Sequence, residues 1–270
     1  MTERRAALLT RHGKHAAIAP ALAEIGWHLE LVDSYDIDLL GTFSGEIERA
    51  GSQRDAALAK AQGACELAGV RYGLGSEGRF GADPWLGCSG WASELLLCWD
   101  GQRRYAIEAW ISGAQTNFYQ TTLSSMAALP DLLSRVGFPE HGLIVGHPGS
   151  AAFHKELVDE ASLRAHLLQH LAQAPLELCS DMRAHRNPTR MAMIARCAQG
   201  LAQRLACACP VCAMPGYGEI APLAGALCAD CARPTRQPRV RRFQCPCCQV
   251  IHEQPWPTQA SPQYCDHCNP

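Results

Sequence analysis

Residues Gly51–Gly81 read GSQRDAALAKAQGACELAGVRYGLGSEGRFG, and the way they fold decides the architecture of the chain. Ala57, Leu58, Ala61, Ala64, Cys65 and Ala68 recur at helical spacing and form a small-residue face suited to packing on a sheet. Gly69 is a natural helix stop. Val70–Leu74 follows as a short apolar strand, and Gly75-Ser76-Glu77-Gly78 reads as the turn that ends it. Asp55 in the first helical turn, Lys60 five residues on and Glu77 past the strand put charges at the ends of these elements. An acid next to glycines at a strand end is a common way of placing a metal ion beside a phosphate. A plain turn with a solvated Glu77 is the competing reading.

Toward the N-terminus, Ala6–Leu9 reads as a strand, and a helix is expected from about His15 to Ile25. Between them lies Thr10-Arg11-His12-Gly13-Lys14, where backbone N–H groups and the helix dipole could cradle an anion and Lys14 would add a point charge. The loop is too short for a Walker frame, and a solvated basic loop would look the same. Trp27–Val32 alternates as a second strand. Asp36–Arg49 then carries four acids, two glycines and two hydroxyls. Carboxylates on such a loop suit Mg²⁺, with Glu46 the first candidate and Asp38 the next.

Toward the C-terminus, Glu94–Trp99 reads as a buried strand, Asp100-Gly101 as a hairpin turn and Arg104–Ser112 as the returning strand, which would make the sheet mixed. Helices are expected over Leu123–Val136, Lys155–Gln173 and Thr189–Ala206, with a short strand at Leu143–Val145. His166 and His170 stand at i, i+4 but lack the acid of a metalloprotease helix, so they read as a solvated face. In the block Ser180–Arg190, Arg183 and Arg190 are suited to bidentate phosphate contact, while Asn187-Pro188 starts a helix.

The chain has 270 residues, 47% of them hydrophobic, and a net charge of −2, so nothing global draws it to nucleic acid or anionic lipid. No stretch approaches the ~20 apolar residues of a membrane span and the N-terminus lacks a signal core, so a cytoplasmic protein is expected. Ten of its fifteen cysteines follow residue 206. Cys209, Cys212, Cys228 and Cys231 match the zinc spacing C-x₂-C-x₁₅₋₂₀-C-x₂-C, as do Cys245, Cys248, Cys265 and Cys268. Two structural Zn²⁺ ions follow. Sequential pairing of the CxxC turns is the expectation, with a cross-braced arrangement as the alternative. Such knuckles could serve only to hold the tail together, or to pack at a homodimer interface. Arg233, Arg236, Arg239, Arg241 and Arg242 between them could instead meet nucleic-acid phosphates.

TRHGK, the helix segment DAALAKA and GLGSEG resemble, in order and separation, three signatures of the ITP/XTP pyrophosphatase superfamily. The resemblance covers residues 6–120. It implies that Thr10 and Lys14 hold phosphate, that Asp55 is the metal-binding acid, Lys60 the helix lysine and Glu77 the catalytic acid. His12 or Arg11 stands where that family has Asn, and Asp55 replaces its Glu. TRHGK, LGTFSGEIER, SEGRFG, DMRAHRNPTR and the paired CxxC tail ending CDHCNP are similar, across nearly the full chain, to a bacterial family of uncharacterised proteins.

The reading is therefore an α/β protein with a mixed sheet flanked by helices, nucleotide-pyrophosphatase-like, over residues 1–175, a linking segment 176–206 and a double zinc ribbon over 207–270. Its expected activity is Mg²⁺- or Mn²⁺-dependent hydrolysis of a nucleoside triphosphate or related phosphoanhydride. Lys14, Lys60, Arg183 and Arg190 would hold phosphate; Asp55, Glu77 and Glu46 would hold the metal. A non-enzymatic zinc-stapled scaffold is the competing function.

Overall fold

The first sheet is built around alternate glycines. In β3 (Tyr72–Ala82), Gly73 and Gly75 face helix α2 (Gln53–Ala68), and a Cβ on them would lie 1.9 Å from the Ala61 carbonyl oxygen and 1.8 Å from that of Ala57. The helix therefore rests its backbone directly on the strand. Ala57, Ala61 and Ala64 are fully buried there. A capping box between Ser52 and Asp55 starts α2, and Gly69 ends it at φ 63°.

The structure, a computed structural model, describes residues 4–10, 12–32, 51–150, 153–172, 174–256 and 259–270. Two compact units emerge, Met1–Ala202 and Gln203–Pro270. In the first, β1 (Arg4–Leu9), α1 (His15–Ala23) and β2 (Trp27–Val32) precede α2 and β3, and β4 (Gly90–Asp100) and β5 (Tyr105–Gly113) follow. The strand order is β2-β1-β3-β4-β5, parallel among β1, β2 and β3 and antiparallel at β4 and β5, so the expected mixed sheet is present. Helix α2 covers one face through Leu95 and Leu97.

Glu77 does not sit in a turn. It pairs with Leu95 in the middle of an eleven-residue strand. Glycines that suggest a turn are here the condition for close helix–strand packing. The chain reverses instead between β3 and β4, where Asp83 accepts from the N–H groups of Trp85, Leu86, Cys88 and Ser89. Those bonds, Leu86 foremost, hold its carboxyl well below the usual range.

A second sheet of order β6-β9-β7-β8 is present, of which the sequence reading expected only the strand at Leu143–Val145. It contains β6 (Gln120–Leu123), β7 (Leu143–Gly146), β8 (Phe153–His154) and β9 (Leu176–Ser180). Its core joins Leu129, Leu132 and Val136 of α3 (Leu129–Val136) to Leu163 and Leu167 of α4 (Glu160–Leu171). The segment 176–206 supplies β9 and then α5 (Pro188–Ala206), whose Cys197 thiol donates to the carbonyls of Glu94 and Ala109 in the first sheet.

The second unit is an antiparallel meander of β10 (Gly218–Ala224), β11 (Pro238–Gln244) and β12 (Ile251–Pro255). Among the described residues no helix is long and apolar enough to cross a membrane.

Candidate functional site

Side chains alternate across a strand, and this divides the charged residues of the first unit into two groups. Glu77 points to the α2 face, where Lys60 Nζ donates to its carboxylate; both side chains are largely buried. Ser76 points to the other face, where Lys14 Nζ donates to its Oγ at 3.2 Å and its carbonyl at 3.0 Å. Gly78 lies beside Glu94 on that same face, and a Cβ there would meet Glu94 Oε1 at 2.5 Å and Arg190 at 2.6 Å.

Arg190 Nε donates to Glu94 Oε1 at 2.6 Å, and Arg190 also donates to the Met182 carbonyl. Arg183 grips Asp181, with NH2 to Oδ2 at 2.8 Å, and donates to the Lys155 carbonyl. Both arginines expected to hold phosphate are thus engaged with buried acids. Thr10 and Lys14 are buried as well. Burial, and then the charge of Arg190, lowers Lys14 to about 7. Burial together with His185, Lys14, Arg183 and Arg190 lowers His12 to about 4. The expected meeting of Thr10 and Lys14 with Lys60 and Glu77 around one phosphate chain does not occur, because adjacent residues of β3 aim at opposite sides of the sheet.

The acids expected to share Mg²⁺ or Mn²⁺ do not assemble among the described residues. Asp55 Oδ2 accepts from the Ser52 N–H at 2.9 Å and the Ser52 hydroxyl at 2.7 Å, and the hydroxyl bond in particular lowers its carboxyl. Its role is to close the first turn of α2. Glu77 is ion-paired with Lys60, and Glu46, like Asp38, lies outside the described residues.

The α2 face also holds open space. A cleft of about 750 Å³ lies where the N-terminus of α2 approaches β3, β4 and β5, lined by Gln53, Arg79, Trp91, Ser93, Trp110 and Ser112 among others. Gln53 Nε2 donates to the Glu77 carbonyl at 2.8 Å and to that of Ser93 at 3.2 Å, so the inner wall of the cleft adjoins the Lys60–Glu77 pair. Arg79 follows Glu77 on the same face, and no acid pairs with it among the described residues. Trp85 stands edge-on to Trp91, their ring centroids 5.0 Å apart.

In the second unit the eight CxxC cysteines form two quartets, Cys209 with Cys212, Cys245 and Cys248, and Cys228 with Cys231, Cys265 and Cys268. This is the cross-braced arrangement, and sequential pairing is corrected. The cause is the meander: each seven-residue strand of β10 and β11 carries the chain ~20 Å, so the first and third CxxC turns share one end of the sheet and the second and fourth the other. Sulfur–sulfur distances across the quartets are 3.6–3.9 Å. Tetrahedral zinc with Zn–S of about 2.3 Å requires about 3.8 Å, so both quartets could hold zinc.

Each CxxC turn is closed alike, the N–H one residue past the second cysteine donating to the carbonyl of the first: Ala213 to Cys209, Ala232 to Cys228, Gln249 to Cys245 and Asn269 to Cys265. The turns also tune the thiols. Burial raises Cys209, but N–H groups of its turn outweigh that and bring it to about 7; burial pushes Cys245 up to about 12.

A family model described as a domain of unknown function, DUF6671, matches residues 60–270. The chain belongs to the DUF6671 family. No curated protein and no solved structure matches it. The part matched to DUF6671 contains Lys60, Glu77, Arg79, Glu94, the two cleft tryptophans, Asp181–Arg190 and all eight CxxC cysteines. Thr10, Lys14 and Asp55 precede it. The resemblance to ITP/XTP pyrophosphatases rests on the short motifs alone.

Arg79, Trp91 and Trp110 were missed in reading this DUF6671 chain as sequence. Their signal was period two: once Gly75-Ser76-Glu77-Gly78 is taken as strand, Arg79 falls on the face of Glu77. The arginines of the tail are less free than their clustering suggested. Arg241 is bidentate on Glu219, Arg242 lies 3.4 Å from Glu253 and Arg236 3.2 Å from Asp266.

Proposed function

We propose that the cleft at the N-terminus of α2 binds a nucleotide or related phosphoanhydride, and that the ligand is hydrolysed there. The observation that carries this reading is the lining: the half-buried Trp91, the exposed Trp110 and an arginine with no acid partner among the described residues, around a space of about 750 Å³, within the ~300–1,000 Å³ typical of small-molecule sites. Trp91 and Trp110 offer flat faces to a base. Arg79 and the N-terminal N–H groups of α2 supply positive charge for phosphate. The Lys60–Glu77 pair, reached from the cleft through the Gln53 bond to the Glu77 carbonyl, would respond to a phosphate bound at the deep end. Mg²⁺ takes no part in this reading, because the acids expected to hold it are not gathered among the described residues.

We also propose that each cysteine quartet binds one structural Zn²⁺. The second unit buries little apolar surface of its own, and a cross-braced metal pair would hold its meander at both ends.

Tryptophan fluorescence of the full chain, titrated with canonical and deaminated nucleoside triphosphates, tests the ligand, and pyrophosphate release from the same panel tests the reaction. Saturable quenching lost in Arg79→Ala and Trp110→Ala is expected, with release lost in Glu77→Gln. Absence of saturable quenching by every triphosphate overturns the binding reading and leaves the zinc-stapled scaffold. Quenching without release removes hydrolysis alone.

A further inference from the structure

Four of the eleven histidines in the chain meet at the second sheet of the first unit, and none of them lines the cleft. His166 and His170 project from one face of α4, their ring centroids 4.5 Å apart. His154 of β8 stacks on His166 with centroids 4.5 Å apart and planes at 11°. His147, just past β7, stands edge-on to His170 at 6.4 Å. The rings form an unbroken row: His154, His166, His170, His147.

The backbone beneath this row is well anchored. Leu163 and Leu167, three residues before His166 and His170 on the adjoining stripe of α4, are fully buried, and a capping box between Asp159 and Ser162 fixes the helix start. Strand β8 is tied to β7 through the pairs Val145 with His154 and Gly146 with Phe153. Burial, and then His154, His170 and His147, lowers His166, so imidazole rather than imidazolium is favoured at that position. Four like groups that repel one another when protonated gain from a shared cation bound through their lone pairs.

We propose that His147, His154, His166 and His170 form a binding site for a borderline divalent transition-metal ion of the zinc, cobalt and nickel class. Imidazole suits these ions. With metal–nitrogen bonds of about 2.0–2.1 Å, ligating imidazole centroids lie about 5 Å from each other, close to the 4.5 Å that separates His166 from both His154 and His170. The rings now stack rather than converge, so binding requires rotation about the side-chain torsions of His154 and His166 to turn their nitrogens toward one point. The exposure of His147 and His154 leaves the ion a path from solvent.

The test uses the full chain with its cysteine quartets first loaded with Zn²⁺, then titrated with Co²⁺. The expected result is visible ligand-field absorption without the near-ultraviolet thiolate-to-cobalt band, and a raised melting temperature. In His166→Gln/His170→Gln the Co²⁺ affinity falls at least ~10-fold, equivalent to about 1.4 kcal/mol. His154→Gln, an exposed substitution on β8, gives a weaker loss in the same direction and guards against a helix variant that fails to fold. No absorption with the parent protein, a spectrum dominated by the thiolate band, or equal affinity in both variants overturns the proposal.

Discussion

Ser76 and Glu77 are consecutive residues of β3 gripped from opposite sides of the sheet, Ser76 by Lys14 and Glu77 by Lys60. Two lysines that looked like partners in one phosphate site are therefore separated by the thickness of a β-sheet. Lys60→Met is expected to change nucleotide affinity or turnover in the cleft, because it releases the Glu77 carboxylate at the inner wall. Lys14→Met is expected to leave affinity within about twofold, a difference below ~0.5 kcal/mol. Parallel fluorescence titrations of the two variants check this, and equal losses would restore the single-site view.

Lys14 itself governs a pH dependence of stability. Burial lowers it from 10.5 in the unfolded chain to about 7 in the fold. Between those values the unfolded chain holds a proton that the folded chain has released, so stability gains from this group as pH rises through that window. Below pH 7 the lysine is protonated in both states and the full cost of burying its charge is felt. Lys14→Met lacks the cost, so its melting temperature is expected to exceed that of the parent protein most at pH 6.5 and least at pH 9.5. A gap that does not narrow with pH would show that Lys14 is not the titrating group.

The period-two and period-3.6 patterns gave α1, α2, β1, β2, the β4–β5 hairpin and α5 to within a few residues. They failed where a residue type serves two purposes. Gly75 and Gly78 read as turn formers, yet here they clear space for Ala57 and for the Glu94–Arg190 pair. The second sheet was illegible for another reason: β6 and β9 are four and five residues long, and their pairing of Leu123 with Leu176 spans more than fifty residues of chain. Nothing local marks such a partnership. Burial of Arg190 and Arg183 against acids was equally hidden, since an arginine beside a helix start reads the same whether it faces phosphate or carboxylate.

Gly75 offers a direct measure of the helix–strand contact. A Cβ there would lie 1.8 Å from the Ala57 carbonyl oxygen and 2.7 Å from its carbon, both backbone atoms, so α2 must shift as a body. Gly75→Ala is expected to destabilise the first unit by about 3 kcal/mol, the upper part of the usual overpacking range. Gly69→Ala is the control: its φ is 63° but nothing lies within 4 Å of the added carbon, so its cost is the left-handed conformation alone, about 1 kcal/mol. Denaturant unfolding of the two variants orders them, and the reverse order would contradict the close contact.

The cross-brace makes the sharpest prediction, because the two ways of pairing four CxxC turns differ in which double substitution spares an ion. Cys212 and Cys245 face each other at 3.6 Å in one quartet, and Cys231 and Cys265 at 3.6 Å in the other. Cys212→Ser/Cys245→Ser damages a single centre, so the protein should lose one zinc per chain relative to the parent in native mass spectrometry. Cys212→Ser/Cys231→Ser damages both and should lose two. Sequential pairing would interchange the two results, since Cys212 and Cys231 would then share an ion. The physical ground is the strand length between knuckles: β10 holds the Cys209–Cys212 and Cys228–Cys231 turns at opposite ends of the meander, farther apart than any four thiolates can lie around one metal.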